Sequence, residues 1–341
     1  MKKKSITIWV LLLAISTTLF ANSFENAENE NGFLGAWTFD VEGGGVGWLN
    51  VHNEDGFLDA ELLWIGGSVL PVAHIYELDE NNIVVTRTED VVKKKNEGGK
   101  DRVHTITYTL SITRNGDEIE GTMVAPFWEG KGENIKKIKG KRLPPAGEAP
   151  DLSKVKFGKE IKLFNGKDLT GWRMINPDQP NGFKVVNGEL VNDPVQPEDG
   201  SHLYYGNLRT EQEFEDFNLK LEVNVPEGNN SGVYLRGLYE IQVVDSYGKE
   251  VDPHNMGALY SRITPSVAAE KPAGEWQTFD ITLYKRHVTV IFNGKKIIDN
   301  EPVHGPTGGA ISSDVFAPGP IFLQGDHGNV SYRNIVLTPI I

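Results

Sequence analysis

From Phe33 to Arg142 the chain runs in short stretches of alternating apolar and polar residues, each closed by turn formers. Ile106, Tyr108, Leu110 and Ile112 recur with the period of two that lays one face of a strand on a core. Asn53-Glu-Asp-Gly56 and Arg114-Asn-Gly-Asp117 stand between such runs as hairpin tips. Glu89 to Arg102 is charged and glycine-containing and reads as an exposed loop. No helical period of useful length interrupts the pattern, which predicts a small antiparallel β-barrel or compact sandwich over 33–142. Leu143-Pro-Pro-Ala-Gly-Glu-Ala-Pro150 has few apolar groups to pack and prolines to stiffen it, so 143–157 reads as a linker. Alternation then resumes. Leu219, Leu221, Val223 and Val225 form one run, Phe279, Ile281 and Leu283 another, and Ile291 to Ile297 is a hairpin with Asn293-Gly294 at its tip. Antiparallel strands with long connections over 158–341 predict a two-sheet jelly roll, so the whole chain reads as all-β.

The N-terminus does not belong to either unit. Lys2, Lys3 and Lys4 precede an apolar stretch from Ile6 to Phe20, and Ala21-Asn22-Ser23 supplies a small-x-small cleavage pattern. Residues 1–23 are therefore expected to be a secretory signal, with 24–32 a flexible acidic terminus and the mature protein exported to the periplasm. The absence of cysteine removes disulfides, thiolate metal sites and a lipoprotein anchor together. The formal charge of −13 becomes −16 without the three lysines (−13 − 3), which argues against nucleic acid or an anionic membrane as partner. A neutral ligand such as a sugar is compatible with it.

One stretch departs from the bland alternation. In Ser231-Gly-Val-Tyr-Leu-Arg236 and Tyr239-Glu-Ile-Gln-Val-Val-Asp245, the residues Val233, Leu235, Ile241 and Val243 mark an apolar face. Tyr234, Arg236, Glu240 and Gln242 share the other. An arginine, a carboxylate and an amide on one sheet face are costly to desolvate unless they pair with one another or serve a ligand. A salt-bridged face in water is the structural alternative. The spacing Glu240-x-Gln242-x-x-Asp245 resembles the E-x-D-x-x-E of laminarinase-type β-glucanases, where a bulge returns the third carboxylate to the face of the first. Plain alternation here would instead leave Asp245 on the face opposite Glu240.

Nine motifs in order carry a wider resemblance: Phe164-Asn-Gly-Lys-Asp-Leu-Thr-Gly-Trp172, Asn230 to Arg236, Tyr239 to Gln242 with Asp245, Gly257-Ala-Leu-Tyr260, Lys271 to Trp276, Phe292-Asn-Gly294, Gly319-Pro-Ile-Phe-Leu-Gln324, Asp326-His-Gly328, and Tyr332-Arg-Asn-Ile335. Over about 158–339 the chain resembles the 3-keto-disaccharide hydrolase domain family. The resemblance implies a concanavalin-A-like sandwich and cleavage of glycosides oxidised at C3. For such chemistry Glu240, Asp245 and His327 are candidate proton carriers and Arg236, Gln242, Tyr260, Gln324 and Asp326 candidate substrate-binding groups, with a turn-capping Asp326 and a core Tyr260 as the structural alternatives. Gly325 intervenes between Gln324 and Asp326, a departure that bears on the aim of Asp326 and His327.

A ketone at C3 acidifies the C2 proton, and the enolate can expel the aglycone from C1. The site then needs a base at C2, a donor to the C3 oxygen and an acid for the leaving oxygen. A carbohydrate-binding module without chemistry and an ordinary two-carboxylate glycosidase remain alternatives. The sequence requires no cofactor. Asp193, Glu198 and Asp199 could offer hard oxygen ligands to calcium, yet no EF-hand spacing accompanies them and loop acidity explains them as well. No dinucleotide fingerprint is present, so a separate dehydrogenase would have to supply the keto-sugar. Four of the six tryptophans beyond the signal lie in the first unit; alternation puts Trp37 in the core, whereas Trp128 follows a proline in a loop-like stretch and is expected to be exposed.

Overall fold

A computed structural model of the protein describes residues 32–94 and 101–341; the expected signal and the acidic terminus before residue 32 lie outside the described residues. The first unit is one nine-stranded antiparallel meander. Its first strand, Gly35–Val41, pairs with both Val46–Glu54 and the last strand, Glu133–Leu143, so the sheet curls back on itself. The remaining gap is stitched by Val72 N donating to Ala60 O and Ala73 N donating to Thr86 O. Trp37, Phe39, Leu49, Ile83, Leu110, Ile112 and Ile138 fill the interior, as the period of two requires. The charged stretch from Glu89 is a correction to the sequence reading. Strand Asn82–Lys94 continues into it as far as Lys94 and pairs with Arg102–Asn115, so the ladder overrides the polar composition there; residues 95–100 lie outside the described residues.

The second unit is a two-sheet sandwich. Eight strands form one sheet, built around Val330–Pro339, Phe217–Asn224, Trp276–Tyr284 and His287–Phe292. Five form the other, in the spatial order Trp172–Met174, Leu208–Thr210, Phe322–Leu323, Asn230–Leu235 and Tyr239–Val244. Leu219, Leu221, Val223, Phe279, Ile281 and Leu283 pack in one cluster with Val233, Leu235, Ile241, Val243 and Leu323. Asn293 (φ 49°) and Gly294 (φ 79°) form the expected hairpin tip.

The segment expected to be a linker is hydrogen-bonded to the sandwich. Pro144 O accepts from Arg286 Nη1 at 2.8 Å and Pro150 O accepts from Asn300 Nδ2 at 2.9 Å. Prolines cannot donate, but their carbonyls remain acceptors, and the sandwich supplies the donors. Val46, Trp48, Leu63 and Leu143 of the barrel belong to the sandwich's hydrophobic cluster. Trp48 donates to His304 O at 2.8 Å, and the Arg262 guanidinium lies 4.2 Å from its ring centroid.

Candidate active site

The five-stranded sheet turns one face into the sandwich core. Its outer face carries the polar row that the alternation predicts, because directly opposed residues in an antiparallel pair share a face. Tyr234 stands opposite both Glu240 and Phe322, and Gly232 stands opposite Gln242. Gln324 adjoins Gly232 through its N–H, which donates to Gly232 O at 3.0 Å. The Tyr234 ring stacks on Phe322 at 3.8 Å between centroids. Gly232 makes room for the Glu240 carboxyl, since a β-carbon there would come within 2.3 Å of Glu240 Oε1. On this floor Gln324 Oε1 and Asn230 Oδ1 are buried without a hydrogen-bond partner, an arrangement that suits hydroxyl donors from a ligand.

Glu240 is 4 % exposed. Burial pushes its carboxyl up to about 8, against a smaller opposing pull from the Tyr234 hydroxyl. Tyr234 Oη lies 2.8 Å from Glu240 Oε2 and 2.7 Å from Gly308 O. One hydroxyl has one proton and cannot donate to both. With Glu240 protonated the arrangement is self-consistent: the carboxyl donates to Tyr234 Oη, and Tyr234 donates to the Gly308 carbonyl. Around this pair the backbone is fixed. Glu240 N donates to Thr307 Oγ1 at 2.9 Å, and Tyr260 N donates to Glu240 O at 2.9 Å. The edge strand Tyr239–Val244 is covered by the segment around Leu259, which bridges to Ile241.

Two of the residues expected at the site do not reach this face. The register of Asn230–Leu235 against Tyr239–Val244 runs without a bulge, so Asp245 is not returned to Glu240. Its carboxylate instead accepts from Gly228 N at 3.0 Å and secures the turn at the far end of the hairpin. Arg236 lies past the strand end. With Gly237 it occupies the left-handed positions (φ 57° and 68°) of a two-residue turn, and the Leu238 N–H donates to Leu235 O at 3.0 Å. That turn redirects the guanidinium, which donates to Val315 O and Ala317 O and holds a surface segment. Alternation fails here because it assumes a strand that has already ended.

Gln242 stays on the face, its Oε1 accepting from Val243 N at 2.9 Å. Asp326 is bound from two sides, accepting from Tyr205 N at 2.7 Å and lying 2.9 Å from His202 Nε2. His327 is exposed beside it. The extra Gly325 is closely packed: a β-carbon there would meet Gly206 O at 2.1 Å, so the insertion is accommodated by contact that only glycine permits. Tyr260 lies edge-on to His254, with 5.1 Å between centroids. Sequence reasoning missed His202 and the part played by Tyr234. His202 sits in a loop with no period to read, and only the fold sets it beside Asp326.

Of the residues weighed for calcium, Asp193 pairs with Lys184 at 2.7 Å, and Asp199 accepts from Ser201 N and Oγ. Arg333 pairs with Glu222 and lies over the Trp276 ring, a structural role for both. Trp128 is 56 % exposed in the turn after Glu118–Pro126. A cavity of about 810 Å³ lies between barrel and sandwich, lined by Trp48, Glu61, Arg262, Arg286 and His304 among others, and takes none of the site residues named from the sequence.

Comparison with known proteins adds relatives to this geometry. A 3-keto-disaccharide hydrolase of Bacteroides thetaiotaomicron is 26% identical over 172 residues, covering 41% of this chain and 57% of that protein, so the chain spans a little over half of that relative's length. A crystal structure from Parabacteroides distasonis, provisionally assigned as a glycosyl hydrolase, is 28% identical with a TM-score of 0.43, covering 56% of this chain and 92% of that one. A second structure from the same organism, with the same provisional assignment, is 21% identical with a TM-score of 0.42, covering 52% of this chain and 92% of that one. The family model described as the 3-keto-alpha-glucoside-1,2-lyase-like domain matches residues 159–338, more than half of the chain, and the chain belongs to that family.

Proposed function

We propose that the protein cleaves the glycosidic bond of 3-keto-glycosides by elimination, with net hydrolysis if water then adds. A base removes the C2 proton and the electron pair enters the C3 carbonyl as an enolate. When the ketone reforms, the pair moves to a C1=C2 double bond and the C1–O bond breaks. The leaving oxygen takes a proton from the acid. The products are an unsaturated 3-keto sugar and the free aglycone.

The observation that carries this reading is Glu240, the one buried carboxyl among the described residues, held neutral to about pH 8 and hydrogen-bonded to a tyrosine in the space that Gly232 leaves for it. A carboxyl of that kind is a proton donor at neutral pH. A retaining or inverting glycosidase needs a second carboxylate across the bond. In the spacing Glu240-x-Gln242-x-x-Asp245 the middle position is an amide, and the third, the Asp245 carboxylate, is turned to Gly228. Glu240 is assigned to the leaving oxygen, and Gln242, Gln324 and Asn230 to hydroxyls or the enolate oxygen. The C2 base is drawn from the imidazoles near Asp326, either His202 held by that carboxylate or His327. The substrate is the product of a prior oxidation at C3 by another enzyme, and we place the reaction among exported activities on the N-terminal pattern.

Incubation of the purified full chain with p-nitrophenyl 3-keto-α-glucoside and with p-nitrophenyl α-glucoside tests the assignment. Release of p-nitrophenol from the keto compound alone, with transient ultraviolet absorbance of the enone, is expected. Cleavage of the unoxidised glycoside alone would establish an ordinary glycosidase, and binding of either without cleavage a binding module.

A further inference from the structure

The sandwich does not complete the surroundings of Glu240 by itself. Gly308 O, the acceptor of the Tyr234 hydroxyl, lies in a segment held from the barrel side. Gly309 N donates to Ile65 O at 3.0 Å. Gly308 sits against the barrel turn so closely that a β-carbon would lie 2.3 Å from Gly67 O and 2.7 Å from Gly67 N.

Ile65 adopts φ 63°, a left-handed conformation that a β-branched residue enters only under strain. It is held there by close packing over Gly45, where a β-carbon would come within 2.7 Å of Ile65 Cγ2. Backbone strain of this kind persists only where the surroundings over-determine it. Further along the same loop, Ser68 Oγ lies 2.8 Å from His254 Nε2, and Val69 N donates to Ser261 Oγ at 2.9 Å. His254 packs edge-on against Tyr260, whose N–H donates to Glu240 O. Two routes therefore lead from barrel residues 65–69 to Glu240, one through Gly308 and Tyr234, the other through His254 and Tyr260.

We propose that barrel loop 65–69 is a positioning element of the active site: by fixing the Gly308 carbonyl it commits the Tyr234 hydroxyl to that carbonyl and keeps the Glu240 proton available to substrate. The inference rests on Glu240 being the proton donor. It concerns residues outside the 159–338 stretch matched by the family, so the device belongs to this chain's own domain arrangement. Its sign follows from proton counting. When Gly308 O is displaced, Tyr234 is free to donate to the Glu240 carboxylate, which favours the charged form and lowers the titration midpoint. Tyr234 and Tyr332, the phenols that interact with Glu240, are pushed up by burial, so the carboxyl titrates alone among them from about pH 6 to 9.

The test uses two substitutions in the full chain, Gly308→Ala on the sandwich side and Ser68→Ala on the barrel side. The second removes one part-buried hydrogen bond and no packing contact of comparable closeness to that of Gly308, so it keeps the question answerable if the first fails to fold. Two readouts are taken: kcat and KM on p-nitrophenyl 3-keto-α-glucoside, and the pH midpoint of the Glu240 carboxyl stretch by infrared difference against Glu240→Gln. For Gly308→Ala a loss of about tenfold or more in kcat is expected with KM within about twofold, as for a displaced proton-transfer group. For Ser68→Ala a loss of about threefold is expected. Both midpoints should fall. If the wild type turns over no keto-glycoside, the functional reading fails and the infrared midpoint alone decides this one. Unchanged midpoints in both variants, or a midpoint raised in either, would overturn the proposal.

Discussion

Replacing Glu240 by glutamine should make the protein more stable at pH 8 while leaving it nearly unchanged at pH 4.5. Glutamine keeps the shape of the protonated acid and can still donate to Tyr234 Oη, but it never ionises. Wild-type Glu240 is raised from the ordinary glutamate value of 4.5 to about 8 by burial. Between those two pH values the unfolded chain has lost this proton and the folded chain retains it. The folded state therefore binds more protons, and stability falls as pH rises. The contribution is fully present below the unfolded value and is gone once pH passes the folded one. At about 1.4 kcal/mol per tenfold change in proton affinity, the interval amounts to roughly 5 kcal/mol. Because the group is 4 % exposed, solvent screening takes little from this figure, and relaxation of the site makes it an upper bound.

Equilibrium urea unfolding of both proteins from pH 4.5 to 9 measures the effect. The difference between the two unfolding free energies should open from near zero to a few kcal/mol in favour of the variant across that window. Other titrating groups, including Arg262, which burial lowers to about 9, are common to both proteins and cancel in the difference. Two stability curves running parallel across the range would show that Glu240 is charged in the folded state. The role assigned to it as proton donor would fall with that result.

Gly232→Ala should lower kcat on the keto-glycoside by about 10²-fold, because its β-carbon occupies the place of Glu240 Oε1 at 2.3 Å; steady-state kinetics with unchanged far-ultraviolet circular dichroism checks this. Asp245→Ala should retain turnover within about threefold and cost about 1 kcal/mol, since it loses only the bond to Gly228 N; a collapse of kcat with unchanged stability would return Asp245 to the mechanism. Arg236→Met should cost about 2–4 kcal/mol in urea unfolding, because the Val315 and Ala317 carbonyls lose a buried charged donor. A fragment of residues 151–341 should be markedly less stable than the full chain, as Trp48, Leu63 and Leu143 are removed from its hydrophobic cluster; an unfolding midpoint equal to that of the full chain would contradict this coupling.

Alternation was enough to determine the all-β class, the apolar face of Val233, Leu235, Ile241 and Val243, and the placing of Glu240 and Gln242 together on the other. Those properties follow from a period of two that any strand must obey. The hairpin at Asn293-Gly294 was legible for a similar reason: left-handed backbone in a two-residue turn selects those residues locally. What depended on where a strand stops was not legible. Arg236 left the expected face because a turn begins at that residue. Asp245 stayed away from Glu240 because no bulge forms, and a bulge is decided by the whole ladder. Glu89 to Lys94 became strand because a long partner was available to pair with it.

Only the tertiary structure decided that Glu240 is a neutral acid. Its ionisation depends on how completely it is desolvated, and that depends on Thr307, Gly308 and the segment around Tyr260, all distant in sequence. The same holds for His202 and Asp326, 124 residues apart, and for the barrel loop that braces Gly308. Local pattern records which side of a strand a residue faces. It does not record what is folded over that side, and in this protein the chemistry of the site is set by that covering.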